Sequence, residues 1–415
     1  MLRRTTPRPS RSPLPAALLL AGACSFNSSG VESATTSAET DESSDGEAST
    51  SGGPTTSGGP TTGATTAAGT EGAALEPWRR SIGFLNAGAL QPLRDFPVPI
   101  ELTPAEIDAL GDAGGADLRF VDDDGVTVLS HEIERWDPER GAVIWVRVPE
   151  IATSDDDLIW MYGGDLDAAP GEDPAGVWQD DYALVLHMSD DPGGGGAGAR
   201  NAAGGIEAAY RGGMDSTNQS SGPVGGAFVF DGAADYLSVP ATLTTDDWTG
   251  LTVTAWVRHE DDDDDRVVCK SPTVTPEQHV FSLGVILNAA LRVRLATDGD
   301  GGAYGEYDVF AGVLPQGEWT FTAFTWDGAS DRLAVLVNET VVREAVHGGD
   351  TLLDSPEAIT IANVNDYTLA ENNRLFTGGL DEVRVSRVAR ADDWLAGQAR
   401  VMGGGMLVYG TIELL

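Results

Sequence analysis

The chain has 415 residues, a length that accommodates roughly two or three domains of ordinary size. It carries 65 acidic and 25 basic residues, which gives a formal net charge of −40 at pH 7. A surface this acidic repels nucleic acid, and it favours cations and neutral partners such as uncharged glycans.

The first 24 residues have the layout of a secretory signal. Arginines precede a short apolar run at 14–20, and small residues then lead to Cys24. The apolar run is too short to cross a bilayer. The ending at 20–24 (LAGAC) resembles the bacterial lipobox, and the resemblance implies that cleavage leaves Cys24 as an acylated N-terminus. An ordinary signal peptide with a chance cysteine stays open as the alternative.

Residues 25–75 are predicted to be a disordered tether. They contain almost no large apolar side chain and repeat the unit Thr-Ser-Gly-Gly-Pro. Such a segment cannot bury enough apolar area to offset the chain entropy that folding removes. The prediction is therefore a protein of the cell envelope, anchored in the lipid bilayer at the outer membrane or cell surface, whose folded part extends on this tether.

Residues 76–177, the predicted first folded domain, are rich in strand patterns. Alternating or β-branched runs are separated by Gly, Asp and Asn. The string at 122–125 (DDDG) indicates a hairpin turn, and the string at 103–106 (TPAE) indicates the start of a helix. Five segments resemble, in order, the domain of unknown function 2341, a bacterial extracellular module; they lie at 95–102, 116–125, 129–137, 142–151 and 158–164. That resemblance implies an architecture but no established activity.

Residues 178–415 are predicted to form the second domain. Six segments alternate apolar or aromatic residues with polar ones, as strands of two facing sheets do; they lie at 226–239, 251–257, 317–326, 332–338, 359–362 and 376–385. They resemble the concanavalin A-like lectin/glucanase sandwich in its laminin G-like form. A helix is predicted at 389–399 and an edge strand at 407–412. The predicted fold class is all-β, with two β-sandwich domains, the second a concanavalin A-like jelly roll, after the disordered N-terminal tether.

The second resemblance also implies a structural calcium ion. Its expected ligands are Asp381 in the Gly-Leu-Asp-Glu-Val string, together with Asp231 and the carbonyl oxygen of Gly232 in the loop after the first strand. Calcium takes about six to eight oxygen ligands, which carboxylates and carbonyls supply. The alternative is that Asp231 stabilises a turn and Asp381 caps a strand.

The sequence motifs point away from an enzyme. A retaining glycosidase needs two carboxylates about 5–5.5 Å apart. The string most similar to such a carboxylate motif is Glu132-Ile-Glu134, but it lies in the predicted first domain, outside the glucanase-like domain, and is predicted to be an ordinary strand. The five histidines are widely separated, so their spacing predicts no zinc site. The aspartates at 261–265 are predicted to form a solvated loop, because like charges repel one another.

The predicted ligand-binding residues are aromatic and polar side chains in loop-like segments. Sugar sites place an aromatic face under a pyranose ring and surround it with hydrogen-bonding groups. Tyr304, Tyr307, Asn365, Asp366 and Tyr367 have that composition. The sequence thus predicts a non-enzymatic surface protein that binds carbohydrate or an extracellular protein. A structural or adhesive scaffold without a ligand site is the alternative, and a glycan hydrolase is the less favoured one.

Overall fold

The computed structural model of the chain describes residues 77–110, 114–165, 169–179, 181–261, 263–272, 278–300, 308–364 and 374–415. The predicted signal peptide, Cys24 and the predicted tether at 25–75 lie outside these residues. So do the predicted ligand-binding residues Tyr304, Tyr307, Asn365, Asp366 and Tyr367. Within the described part of the chain, no helix combines the length and the apolar character needed to cross a membrane.

Strands make up most of the described elements. The first nine elements are β1 (Trp78–Phe84), β2 (Leu93–Leu102), α1 (Pro104–Leu110), β3 (Arg119–Asp122), β4 (Val128–Leu129), β5 (His131–Asp137), β6 (Gly141–Ile151), β7 (Leu158–Gly163) and α2 (Pro174–Val177). The next ten are β8 (Tyr182–Leu186), β9 (Gly198–Ala199), β10 (Ala208–Arg211), β11 (Gln219–Ser221), β12 (Gly226–Asp231), β13 (Tyr236–Val239), β14 (Gly250–His259), β15 (Asp265–Lys270), β16 (Phe281–Ile286) and β17 (Ala290–Leu295). The last nine are β18 (Asp308–Val313), β19 (Thr320–Asp327), β20 (Arg332–Val337), β21 (Thr340–Val346), β22 (Ile359–Ile361), β23 (Thr377–Ser386), α3 (Asp392–Met402), β24 (Leu407–Tyr409) and β25 (Glu413–Leu414).

The first sandwich consists of two antiparallel sheets. One sheet has the order β24-β1-β7-β3-β4, with β25 also paired to β1, and the other has the order β2-β6-β5. Apolar side chains of both sheets share one core. β6 is buried from Gly141 to Val146, because one of its faces packs in this core while Val143 and Trp145 face the second sandwich. The unbroken apolar run at 142–146 reflects this burial on both faces.

The second sandwich also has two antiparallel sheets. One has the order β18-β17-β16-β15-β22-β13-β10-β9, and the other has the order β11-β12-β23-β14-β19-β20-β21, with β8 also paired to β23. Successive side chains in a strand point to opposite faces. In β19, Phe324 and Trp326 therefore lie in the core between the sheets, while Phe321 and Ala323 point outward. The two sandwiches confirm the predicted all-β fold class.

The outward face of β14, β19 and β20 is covered by the first sandwich. Trp256, Phe321 and Leu336 lie on this face and share a core with residues of the first sandwich. Helix α3 closes the junction, since it packs on both β2 and β20. Gly397 permits this close approach, because a Cβ atom there would lie 2.9 Å from Leu93 Cδ1. The two sandwiches therefore share a buried interface.

The end of the chain returns to the first sandwich. β24 pairs with β1 so that Tyr409 lies opposite Ile82, and β25 pairs with β1 so that Leu414 lies opposite Trp78. The last residues of the predicted second domain, 178–415, thus belong to a sheet of the first sandwich. Without this pairing, β1 would be an open sheet edge, which proteins generally cover.

Candidate functional site

The junction between the sandwiches buries a group of ionisable side chains, called here the interdomain cluster. Its members are Glu132, Glu134, His187, Asp381, Glu382 and Arg384. β5 carries both glutamates of the first sandwich, His187 follows β8, and the remaining three residues lie in β23. Buried charged groups are costly unless they pair with one another, so the contacts within the cluster decide its properties.

A β-bulge in β23 places the second-sandwich residues in the cluster. Asp381 and Arg384 are three positions apart, yet they pair with β14 residues that are only two positions apart. The extra residue distorts the strand locally, and Glu382 adopts a φ of +50°. Such a conformation is uncommon outside glycine, and bulges re-aim side chains. Here the Glu382 carboxylate meets His187.

His187 contacts a carboxylate from each sandwich. Its Nδ1 atom lies 2.7 Å from Glu382 Oε1 and 3.6 Å from Glu134 Oε2, and its Nε2 atom lies 3.4 Å from Glu132 Oε2. The His187 side chain is 5% exposed, and the side chains of Glu132 and Glu382 are 0% exposed. The Trp145 ring stacks on the imidazole at a centroid distance of 5.4 Å. The imidazole is thus enclosed at the contact between the two sandwiches.

Indole and hydroxyl groups hold the glutamates of the first sandwich. Trp145 Nε1 donates a hydrogen bond to Glu134 Oε2 over 2.7 Å, and Ser189 Oγ donates one to Glu134 Oε1. Trp178 Nε1 donates to Glu132 Oε2. Both carboxylates therefore have fixed orientations before any ligand binds.

Arg384 supplies a second buried cation. It donates to Glu382 Oε2 over 2.6 and 3.0 Å and to Gln398 Oε1 over 2.8 Å. Its guanidinium also lies over the rings of Trp145 and Trp178, 4.5 and 4.8 Å from their centroids. Arg384 therefore joins β23, α3 and the aromatic side chains of the first domain.

The charges of the cluster shift one another's pKa values. Burial alone would lower the pKa of His187, but the carboxylates of Glu382 and Glu134 raise it well above its usual value. Burial would raise the pKa of Glu132, but the contact with His187 lowers it to about 2. Burial raises the pKa of Glu134 to about 7, and burial together with the charge of Glu382 raises the pKa of Asp381 well above its usual value. Burial and neighbouring charge therefore act in opposite directions on the pKa values of His187 and Glu132, but in the same direction on that of Asp381.

A cleft of about 430 Å³ opens beside the interdomain cluster. This interdomain cleft is lined by Arg135, Arg140, Met188, Ser189, Gln219, Ser220, Ser221, Gly225, Gly226 and Ala227. Ser189 connects the cleft with the cluster, because its hydroxyl donates to Glu134 and accepts the Gly226 N–H over 3.2 Å. Gly225 is required at its position, since its φ is +65° and a Cβ atom would lie 2.9 Å from Glu134 Oε1.

The structure does not bring the two predicted calcium-binding carboxylates together. Asp231 lies opposite Thr377, four positions from Asp381, which corresponds to about 13 Å along a strand. Asp231 Oδ1 accepts the backbone N–H groups of residues 233–235, so it stabilises a turn, as the alternative interpretation expected. Asp381 Oδ2 accepts the Val224 N–H over 3.0 Å inside the junction. In this register the two carboxylates cannot ligate one ion, because calcium–oxygen distances are about 2.3–2.6 Å.

Gly232, the third predicted calcium ligand, borders a second cleft of about 390 Å³ that also contains Asp263, Asp264, Asp265 and Arg374. The prediction of a solvated loop at 261–265 is wrong for Asp265, whereas Asp264 lies in the loop with its side chain 37% exposed. Asp265 begins β15 and is buried, and burial together with repulsion from Asp261 raises its pKa to about 8. Asp264 pairs at 2.6, 2.5 and 3.6 Å with Arg266, Arg292 and Arg374. Arg292 lies in β17 and Arg374 precedes β23, so the order of charges along the chain does not reveal that they pair with Asp264.

Sequence spacing does not reveal the interdomain cluster either, since His187 and Glu382 are 195 residues apart. One signal was present in the sequence. Glu132 and Glu134 occupy alternate positions of a strand, and His187 ends the apolar run of β8. Ionisable residues at positions where the strand pattern predicts burial indicate a polar contact inside the protein.

Several solved structures are similar to the chain. Domain 4 of AbnA, a GH43 extracellular arabinanase from Geobacillus stearothermophilus, in complex with arabinotriose, is 18% identical with a TM-score of 0.35, over 53% of this chain and 98% of that one. The binding domain of Paraclostridial Mosquitocidal Protein 1 is 10% identical with a TM-score of 0.39, over 53% and 52%. The receptor binding domain of botulinum neurotoxin C/D mosaic serotype is 10% identical with a TM-score of 0.37, over 53% and 51%. The chain spans about half the length of these last two structures.

Family comparisons locate the two resemblances along the chain. No curated protein matches it. Residues 114–190 match the family described as domain of unknown function (DUF2341), and residues 231–396 match the concanavalin A-like lectin/glucanases superfamily. The order of these matches agrees with the order of the two sandwiches. The chain therefore contains a domain of unknown function 2341 followed by a concanavalin A-like domain of the laminin G kind.

Proposed function

We propose that this chain is an extracytoplasmic binding protein that recognises carbohydrate in the interdomain cleft. The lining of that cleft is the observation that carries the proposal. Gln219, Ser220 and Ser221 come from the second sandwich, and Arg135 and Arg140 come from the first. Their amide, hydroxyl and guanidinium groups donate and accept the kinds of hydrogen bond that sugar hydroxyls form.

The packing of the two sandwiches supports the cleft, rather than the outward face of a sheet, as the place where a glycan binds. The first sandwich fills the outward face of β14, β19 and β20, so a glycan cannot lie along it. A cleft of about 430 Å³ falls within the usual size of a small-ligand site. An extracellular protein, the second partner class, would need a wider surface of about 800 Å² on each side. The match to a superfamily named for lectins supports a sugar as the ligand.

Arg140→Ala is expected to weaken glycan binding about tenfold, since a hydrogen bond to a charged group contributes about 1.5–3 kcal/mol and the exposed Arg140 falls at the lower end of that range. Arg94→Ala is the matched control. Each of the two arginines pairs with one carboxylate, and their side chains are 65% and 67% exposed, but Arg94 does not line the cleft. A glycan array identifies the strongest ligand, and calorimetry then gives its affinity for each variant.

Two results would count against carbohydrate recognition in the cleft. One is the absence of any bound glycan on the array, which would favour the scaffold alternative or a protein partner. The other is an equal loss of affinity in the Arg140 and Arg94 variants, which would place the ligand elsewhere.

We propose further that an acylated Cys24 holds the protein at the cell envelope, with residues 25–75 as the tether. The signal-like start and the apolar-poor segment after it support this anchor. Cys24→Ala is expected to move the full chain from the detergent phase to the aqueous phase in Triton X-114 partition, because each buried acyl methylene contributes about 0.8 kcal/mol. Cys269→Ala, which changes a buried cysteine, should leave the partition unchanged. Detergent partition that survives loss of Cys24 would refute the anchor.

A further inference from the structure

The interdomain cluster contains a set of side chains that fits a metal ion. One nitrogen of His187, one oxygen of Glu134 and one oxygen of Glu382 lie within 4.8 Å of one another. We propose that Glu134, His187 and Glu382 bind one divalent transition-metal ion, such as Zn²⁺, at the junction of the two sandwiches. This proposal does not rest on glycan binding in the cleft.

The ligand atoms are near the spacing that an ion requires. Zn²⁺ binds imidazole nitrogen and carboxylate oxygen at about 2.0–2.2 Å, and tetrahedral geometry then separates neighbouring ligand atoms by about 3.3 Å. The distance from His187 Nδ1 to Glu134 Oε2 is 3.6 Å, and the distance to Glu382 Oε1 is 2.7 Å. The second distance must open by several tenths of an ångström, and the two carboxylate oxygens, which lie within 4.8 Å of each other, must come to the same spacing; small side-chain rotations achieve both.

The groups behind the ligands resemble the outer shell of a metal site. A metal-bound histidine generally donates its other ring N–H to a carboxylate, which fixes the orientation of the ring. Here the Nε2 atom faces Glu132 at 3.4 Å. Arg384 holds the far oxygen of Glu382, and Ser189 holds one oxygen of Glu134. All three ligands are therefore oriented by other residues.

The cluster contains more carboxyl groups than buried cationic side chains. Four carboxyl groups lie against two buried cationic side chains, while Arg200, which reaches Glu132 at 2.9 Å, is 48% exposed. Asp381 is 0% exposed, and its Oδ1 atom has no hydrogen-bond partner within the described residues. A divalent ion takes the place of protons that these groups otherwise hold, including the one on His187 Nδ1 that faces Glu382, and the protons are released to solvent.

The ligand types select the class of metal. Calcium prefers about six to eight oxygen ligands, whereas one imidazole with two carboxylates suits Zn²⁺ and neighbouring transition metals. The site therefore differs in residues and in chemistry from the calcium site predicted at Asp381, Asp231 and Gly232. Ser189 touches Glu134 and lines the interdomain cleft, so the cleft provides the path for the ion.

Calorimetric titration of Zn²⁺ into the full chain, freed of metal by a chelator, tests the site. The buffer contains millimolar Ca²⁺ and Mg²⁺, because these ions occupy weak cation sites on the acidic surface and so keep Zn²⁺ from binding there. One Zn²⁺ per chain is expected, with affinity reduced about 10–100-fold in Glu132→Gln and more strongly in His187→Gln. His347→Gln is the matched control, because His347 is also buried and lies 3.4 Å from the carboxylate of Asp300. This variant should keep the native affinity.

Two outcomes would overturn the metal site: no stoichiometric Zn²⁺ binding by the native chain, or equal affinities of the His187 and His347 variants. If His187→Gln does not fold, Co²⁺ titrated into the native chain decides. An intense visible absorption of four-coordinate Co²⁺, abolished by Zn²⁺, is expected. A spectrum like that of Co²⁺ in water would refute the proposal.

Discussion

Replacing Arg384 with alanine is expected to lower the free energy of unfolding by about 3–5 kcal/mol, because it leaves one oxygen of the buried Glu382 carboxylate without its charged partner while His187 holds the other. The substitution also removes the hydrogen bond to Gln398 and the guanidinium that lies over Trp145 and Trp178. Packing is therefore lost together with charge. Urea unfolding of the full chain, followed by tryptophan fluorescence, measures the change.

Arg332→Ala is the matched control for this experiment. Arg332, like Arg384, donates to side chains of two residues, here the carboxylates of Glu344 at 2.5 Å and Asp392 at 2.7 Å, but its side chain is 35% exposed. Exposed ion pairs contribute about 0.2–1 kcal/mol each, so Arg332→Ala is expected to lower the free energy of unfolding only slightly. If the Arg384 variant loses no more stability than the Arg332 variant, the interdomain cluster does not stabilise the junction as its contacts indicate.

A chain that ends at Arg390 is expected to lose the cooperative folding of the first sandwich. The deletion removes α3 and β24, with the buried side chains of Leu395, Met402 and Met406. Each of these contributes about 1.5–3 kcal/mol by burial, while a domain is stable by only about 5–15 kcal/mol in total. The deletion also uncovers Phe96 and opens the edge of β1. Scanning calorimetry and near-ultraviolet circular dichroism detect the loss.

A chain that ends at Gly410 is the control for the length of the deletion. It loses β25, in which Leu414 is 75% exposed, and the ion pair between Arg79 and Glu413, whose side chains are 35% and 46% exposed. Its thermal transition should therefore stay within a few degrees of that of the full chain. A native-like transition in the chain that ends at Arg390 would show that α3 and β24 are not required by the first sandwich.

Local features of the fold could be predicted because they depend on neighbours along the chain. The string at 103–106 starts α1 as expected, since Thr103 N–H donates to Glu106 Oε2 over 2.9 Å and Glu106 N–H donates to Thr103 Oγ1 over 3.3 Å. Gly125 adopts a φ of +71° in the predicted turn. The helix predicted at 389–399 forms at Asp392–Met402. In each case a few residues supply all the interactions that define the element.

The alternation of apolar and polar residues by itself determined the all-β class and the two sandwiches, because period-two burial follows directly from strand geometry. Only the tertiary structure decided which surfaces meet. The period-two pattern shows that Phe321 and Ala323 share one face of a strand, but it does not show that the first sandwich covers them. Likewise, the contact of His187 with Glu382 joins residues that are 195 positions apart. Strand patterns specify how each element exposes its faces, whereas contacts between distant elements depend on the packing of the whole chain.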